Sequence, residues 1–195
     1  MARPFSHLGR KVFQLWQPAR FCQHPTVIAV QPLTPDDWAQ WRALRIEATT
    51  TEPEAFGSTL AEVAATTEAQ WRARLSTPSL HLVARQESDA VGMAAVNQEF
   101  ELGSVWVRPN ARGSGTGHRL VEAALRWAAS REAPLVRLAV RESNTAAIGL
   151  YRAHGFIEVG DDYLNPERVH HLILMAHDRT AQSDLDPRVN SCELA

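Results

Sequence analysis

Residues 105–120, VWVRPNARGSGTGHRL, set three glycines at alternate positions between an apolar run that reads as a strand and an amphipathic run that reads as a helix. A strand that passes into a helix through glycines presents the helix N-terminus to whatever lies beyond the strand's end. The helix is signalled by the apolar stripe Leu120, Val121, Ala124, Leu125 and Ala128. Its unpaired N–H groups and positive dipole end form an anion site, the glycines let an oxygen-rich group come close, and Arg112 adds a permanent charge. A GxGxxG dinucleotide fingerprint is excluded, because position 118 is His118; a P-loop fails at the same residue and lacks the lysine. The alternative is a tight strand-to-helix turn whose glycines serve shape alone.

The rest of the chain alternates around this join. TVIAVQ reads as a strand, and TPDDWAQWRALRIEAT as a helix opened by Thr34 as N-cap and Pro35 at the first helical position, with Trp38, Trp41, Leu44 and Ile46 sharing a face. A second helix is expected near TEAQWRARL, then strands near LHLVARQ, AVGMAAVNQ and ELGSVWV. Beyond the loop come a helix to about Ser130, the strand LVRLAV, the helix NTAAIGLYRAH and the strands FIEVG and VHHLILMA. Strands adjacent in sequence, with helices inserted on both sides, imply an α/β (α+β) mixed sheet covered by helices.

Composition narrows the function. The 195 residues with 45% hydrophobic content suit one core with tails, and the net charge of −2 gives no general attraction to nucleic acid or to acidic membranes. Cys22 and Cys192 lie in the terminal segments, so they build neither a disulfide framework nor a four-ligand zinc site; a reducing, cytoplasmic setting is the default expectation. No HExxH is present, and adjacent His170 and His171 would point to opposite faces of a strand, so no metal is expected. No run approaches the roughly 18 apolar residues of a membrane span. The first 35 residues lack acids and carry several basic residues, yet Pro4 and Pro18 interrupt any amphipathic helix there; AQSDLDPRVNSCELA reads as a polar tail.

The segment RGSGTG fits the pattern of Arg or Gln, two residues, Gly, one residue, Gly or Ala that binds the coenzyme A pyrophosphate in the GCN5-related N-acetyltransferases, the GNAT superfamily. The run VWVRPNA resembles the strand and turn of that motif. RESNTAAIGLYRAHGFIEVG resembles the family's second signature, and ALRIEATTTEPEAFGSTLAEV is similar to its acceptor-side segment. The likeness covers about residues 27–178. It implies a central, mostly antiparallel sheet splayed at the acetyl-CoA site and flanked by helices. It also implies a division into an N-terminal extension 1–25, an N-acetyltransferase domain 26–178 and a C-terminal tail 179–195.

The same resemblance implies a direct acetyl transfer from acetyl-CoA to a primary amine of a small molecule or peptide, in a monomer or homodimer. An acyl-CoA sensor on the same fold, or a transferase for another acyl-CoA or acceptor, stays open. Tyr151 matches the tyrosine that protonates the departing thiolate, and a core aromatic is its alternative; Ala147, Leu150, Tyr151 and His154 share one face at helical spacing. Asn144 matches the asparagine that contacts the pantetheine arm or an ordered water, and could equally cap its own helix, the two roles being compatible. Glu101 aligns with the strand glutamate that serves as base, often through water, in the histone-acetylating branch of the family, ahead of Glu99, Glu54 and Glu47. Strand alternation places Glu101, Gly103, Val105 and Val107 on one face, although a solvated strand end is the plain alternative for Glu101. Val105, Trp106 and Val107 match the strand that bonds the pantetheine amides, and Arg112, Gly113, Ser114, Gly115, Thr116, Gly117 and His118 the pyrophosphate loop. Glu47, Glu52 and Glu54 could present a carboxylate to a cationic acceptor, and equally could be solvated loop charges.

Overall fold

A computed structural model describes residues 27–76, 78–162 and 172–178 of the chain. The segments 1–25 and 179–195, both cysteines and the His170–His171 pair lie outside the described residues. Among those described, the order is β1 (Ile28–Pro32), α1 (Trp38–Thr51), α2 (Leu60–Ala65), α3 (Glu68–Ser76), β2 (Leu80–Gln86), β3 (Asp89–Val96), β4 (Leu102–Val107), α4 (Thr116–Ser130), β5 (Leu135–Arg141), α5 (Thr145–Arg152), β6 (Ile157–Asp162) and β7 (Leu172–Asp178).

The helix starts follow from short polar signals. Thr34 donates from its backbone N and its hydroxyl to Asp37 Oδ2, both at 2.8 Å, which turns the chain through a 3-10 stretch, Pro35–Asp37, before α1 begins. These bonds also hold the Asp37 carboxyl below its ordinary range. Helix α2, absent from the sequence reading, opens on a reciprocal box in which Glu62 accepts from Thr59 N at 2.7 Å and Thr59 Oγ1 accepts from Glu62 N at 3.3 Å. Thr67 and Gln70 repeat the device at the start of α3. On α1 the buried face is Trp41, Leu44 and Ala48, with Trp38 and Ile46 half-buried at its margins.

The strands pair as β1-β2-β3-β4 and as β5-β7-β6, antiparallel throughout. Helices α1, α2 and α3 cover one face of the first sheet with a core that includes Trp41, Trp71, Met93 and Trp106. Helix α4 packs with α5 on the other side, over Leu82, Val96, Leu120, Leu138 and Ile148. Arg108, just past β4, donates to Glu47 of α1 through Nε and Nη2 at 2.7 Å each, which ties the end of the strand to that helix.

Between the sheets, β4 and β5 touch through one parallel bridge, Glu101 with Arg137, where Arg137 N donates to Phe100 O at 3.1 Å. Past that point no ladder joins them among the described residues, so a cleft opens between β4 and β5.

Strand β4 is not regular, and this corrects the alternation expected from sequence. Met93 lies opposite Trp106 and Ala95 opposite Gly103, so the single residue Ala94 faces both Ser104 and Val105 across a register shift. Ser104 takes φ 53°, the left-handed region, as a bulge residue does. Leu102 and Trp106, four residues apart, consequently enter opposite cores. Val105 and Val107 pack toward α4, whereas Gly103 follows Ala95 to the α1 side, and Glu101 joins it by alternation. Glu101 and Gly103 therefore do not share a face with Val105 and Val107.

Gly92 on β3 sets how closely the start of α4 can approach the sheet. A Cβ there would lie 2.9 Å from the Trp106 carbonyl oxygen, 3.2 Å from Leu120 Cδ1 and 3.3 Å from Thr116 Cγ2. Gly92→Ala should destabilise the fold by about 1–3 kcal/mol through overpacking. Thermal melting checks this against Gly57→Ala, where a Cβ meets nothing within 4 Å and the change should be slight.

Candidate active site

The loop after β4 has two reasons for its three glycines. Gly113 at φ 75° and Gly115 at φ 82°, the N-cap of α4, need the left-handed region, where a side chain is strained. Gly117 does not; a Cβ there would meet Leu150 Cδ2 of α5 at 3.2 Å, so this glycine serves close approach of two helices. The first bond of α4 runs from Arg119 N to Gly115 O at 3.1 Å, which leaves the N–H groups of Thr116, Gly117 and His118 without intrahelical acceptors.

These residues line a cavity of about 450 Å³ that also takes in Val105, Trp106, Val107, Arg112, Asn144 and Tyr151. Two of the residues expected there contribute differently. Ser114 does not line it: its hydroxyl donates to Ala111 O at 2.6 Å and lies 2.7 Å from Thr116 Oγ1, bracing the loop from behind. Trp106 reaches it through backbone, since its indole is buried in the core beneath α1. Arg112 is held by the Val107 carbonyl, to which its Nε donates at 3.0 Å, and by an ion pair with Glu52.

A second cavity, of about 610 Å³, shares Ala55, Val105, Asn144, Ala147 and Tyr151 with the first and extends to Phe56, Gly57, Glu54, Glu62, Glu101 and Arg141. Tyr151 stands at the seam. It comes from α5, which starts where Asn144 Oδ1 accepts from Ala147 N at 3.1 Å, so the capping role of Asn144 is realised. Tyr151 is 7% exposed and packs edge-on against Phe156, with centroids 5.8 Å apart. Burial raises its phenol to about 12. Ala147, Leu150 and Tyr151 face the glycine-loop cavity together, but His154 does not join them. The helix has ended by then, Gly155 turns at φ 82°, and His154 Nε2 lies 3.1 Å from His118 Nδ1.

The carboxylates sort themselves by partner. Glu101 lines the larger cavity, exposed, accepting from Asn97 Nδ2 at 3.2 Å. Glu54 lines it as well, 3.2 Å from Arg141. Glu47 pairs with Arg108 and Glu52 with Arg112, and Glu99 lies beside a different pocket, with His81 and Ser79. Sequence reasoning missed Glu62 and Arg141 of the larger cavity; the Thr59–Glu62 box was the one signal that could have found Glu62.

A family model described as Acetyltransferase (GNAT) family matches residues 38–156, more than half of the chain. The chain belongs to that family. Among the relatives of this GNAT chain is the N-alpha-acetyltransferase RimI of Mycobacterium tuberculosis, 35% identical over 100 residues, 47% of this chain and 61% of the relative. The mycothiol acetyltransferase of Renibacterium salmoninarum is 28% identical over 146 residues, 68% of this chain and 41% of the relative. The chain thus spans less than two thirds of the length of either curated relative. In fold it is similar to yncA of Salmonella typhimurium, solved with its cofactor acetyl-CoA, at a TM-score of 0.62 and 17% identity over 78% of this chain and 94% of that one. No helix among the described residues of the GNAT chain is long and apolar enough to cross a membrane.

The Tyr151 phenol gives a test that needs no substrate. Its folded pKa, about 12, lies above the ordinary 10.0, so its contribution to stability is complete below pH 10 and is lost as pH rises toward 12, where the unfolded chain ionises first. The melting temperature of the wild type should fall through that window relative to Tyr151→Phe. Parallel melting curves of the two proteins would refute the burial of this hydroxyl.

Proposed function

We propose that the chain is an acetyl-CoA-dependent N-acetyltransferase, which moves an acetyl group directly to a primary amine of a small molecule or peptide. The observation that carries this reading is Tyr151, a buried phenol at the seam of two cavities, one formed by the glycine loop and one fringed by Glu54, Glu62 and Glu101. Family membership and the acetyl-CoA in the Salmonella neighbour support the donor. The relatives' names, one an N-alpha-acetyltransferase and one a mycothiol acetyltransferase, support a peptide or a small-molecule acceptor.

The residues fit a coenzyme A. The N–H groups of Thr116, Gly117 and His118 and the guanidinium of Arg112 supply donors for a pyrophosphate, and the glycines keep side chains out of its way. The edge of β4 that faces the cleft offers backbone groups at Val105 and Val107 to an extended amide arm, as a strand would.

Each residue then has a place in a balanced transfer. In the larger cavity Glu101, with Glu54 as the next candidate, takes the proton of the attacking nitrogen, directly or through water. As nitrogen bonds to the acetyl carbon and the carbon–sulfur bond breaks, Tyr151 donates to the sulfur; solvent then returns a proton to Tyr151 and takes the one on the carboxylate. Burial makes this phenol a reluctant acid, but the same desolvation raises the basicity of the thiolate, so the donation keeps pace with the charge that builds. No enzyme-bound acyl intermediate enters the scheme.

A thiol-release assay with acetyl-CoA against a panel of amines tests the reaction, and no release with any amine would refute it. With an acceptor in hand, Tyr151→Phe should lower kcat on the order of 10²- to 10⁴-fold, with little change in coenzyme A affinity. Unchanged kcat, where chemistry limits the rate, would remove Tyr151 from the role.

The Arg112–Glu52 pair makes a second expectation specific to this chain. Arg112→Glu should weaken coenzyme A by about tenfold or more, as loss of a charge-assisted bond does. Glu52→Gln should tighten it, because a carboxylate no longer competes for the guanidinium. Calorimetry that returns equal affinities in all three proteins would contradict the anion-loop reading.

A further inference from the structure

Helix α1 carries a cation that no step above uses. The guanidinium of Arg45 donates to Ser104 Oγ at 3.0 Å and to Ser58 Oγ at 2.6 Å, and lies 4.8 Å from the centroid of the Phe56 ring. Burial, with the nearby charge of Arg74, pulls its pKa down to about 10, so the charge is largely out of water. Its hydrogen bonds among the described residues end on hydroxyls, not on a carboxylate. A desolvated cation without an acid is a poor source of stability, and an apolar side chain would pack such a site at least as well.

The distinctive thing about Arg45 is what it joins. Phe56 and Gly57, beside Ser58, line the larger cavity. Ser104 lines it too, and is the left-handed residue of the β4 bulge at φ 53°. One guanidinium thus spans from the loop before α2 to the irregular point of the strand.

We propose that Arg45 is a positioning residue for the acceptor: by clamping Ser58 to Ser104 it fixes the wall made by Phe56 and Gly57 against the bulge of β4, and so sets the shape into which the amine must fit. The inference rests on reading the larger cavity as the acceptor site.

Arg45→Met keeps a long side chain and removes both donors. Amide hydrogen exchange over residues 55–59 should accelerate about tenfold or more, while α4 holds its protection and the melting temperature stays within a few degrees. Coenzyme A affinity should hold, and KM for the best amine of the panel should rise about tenfold or more, with a smaller change in kcat. Arg45→Lys, which can reach one hydroxyl, should recover part of that loss. Ser58→Ala added to Arg45→Met should cost little more, since the bond is already gone. Unchanged exchange over residues 55–59 in Arg45→Met overturns the proposal, and so does a loss of coenzyme A affinity in proportion to the rise in acceptor KM. If the wild type acetylates no amine, the N-acetyltransferase reading is what fails, and the exchange measurement still decides whether Arg45 holds the wall.

Discussion

Everything at this site depends on two neighbouring strands that start side by side and do not stay together. Strand β4 is bonded to β3 along one edge, and β5 to β7, but between β4 and β5 the pairing stops at Glu101 and Arg137. A strand edge left open inside a fold is a row of backbone donors and acceptors with no partner, which is costly unless water or another chain-like group meets it. The cavities lie along that open edge, and the glycine loop stands at its far end. Helices on both faces make the opening durable: α1 is tied to the end of β4 by the Glu47–Arg108 pair, and α4 rests on the sheet where Gly92 leaves room.

Much of this was legible in the sequence. The glycine spacing, the apolar stripe of α4 and the Asn144 to Tyr151 helix carried both the family resemblance and the positions of the loop, and the strands fell close to where β-branched runs placed them. Gly117 shows the limit of such reading, because it resembles Gly113 and Gly115 in the motif but its small size matters against Leu150, a residue far away in sequence.

What stayed hidden was either non-local or contrary to propensity. Nothing in the string ELGSVWV announces that a serine will adopt a left-handed backbone, so strict alternation assigned Val105 and Val107 to the face of Glu101. The acids near the acceptor segment looked alike, yet Glu47 and Glu52 are each held by an arginine some sixty residues on, after β4. Helix α2 is six residues long, too short for periodicity to show, although its capping box was there to be read. Arg45 was unremarkable in a helix with other polar residues; only folding brings it to two serines on different elements.

The cap on α5 fixes the polarity of one point in the cleft. Because Asn144 meets the N–H of Ala147, the atom that faces it is the carbonyl oxygen, and the amide end of the side chain is turned away from the helix. Asn144 borders both cavities, with one lone pair of Oδ1 spent on the cap and Nδ2 still a donor. A carbonyl or a water that settles beside it can accept from that amide, and a donor can still use the second lone pair of Oδ1. A residue that begins a helix thereby also sets one fixed polar group beside the passage between the two cavities.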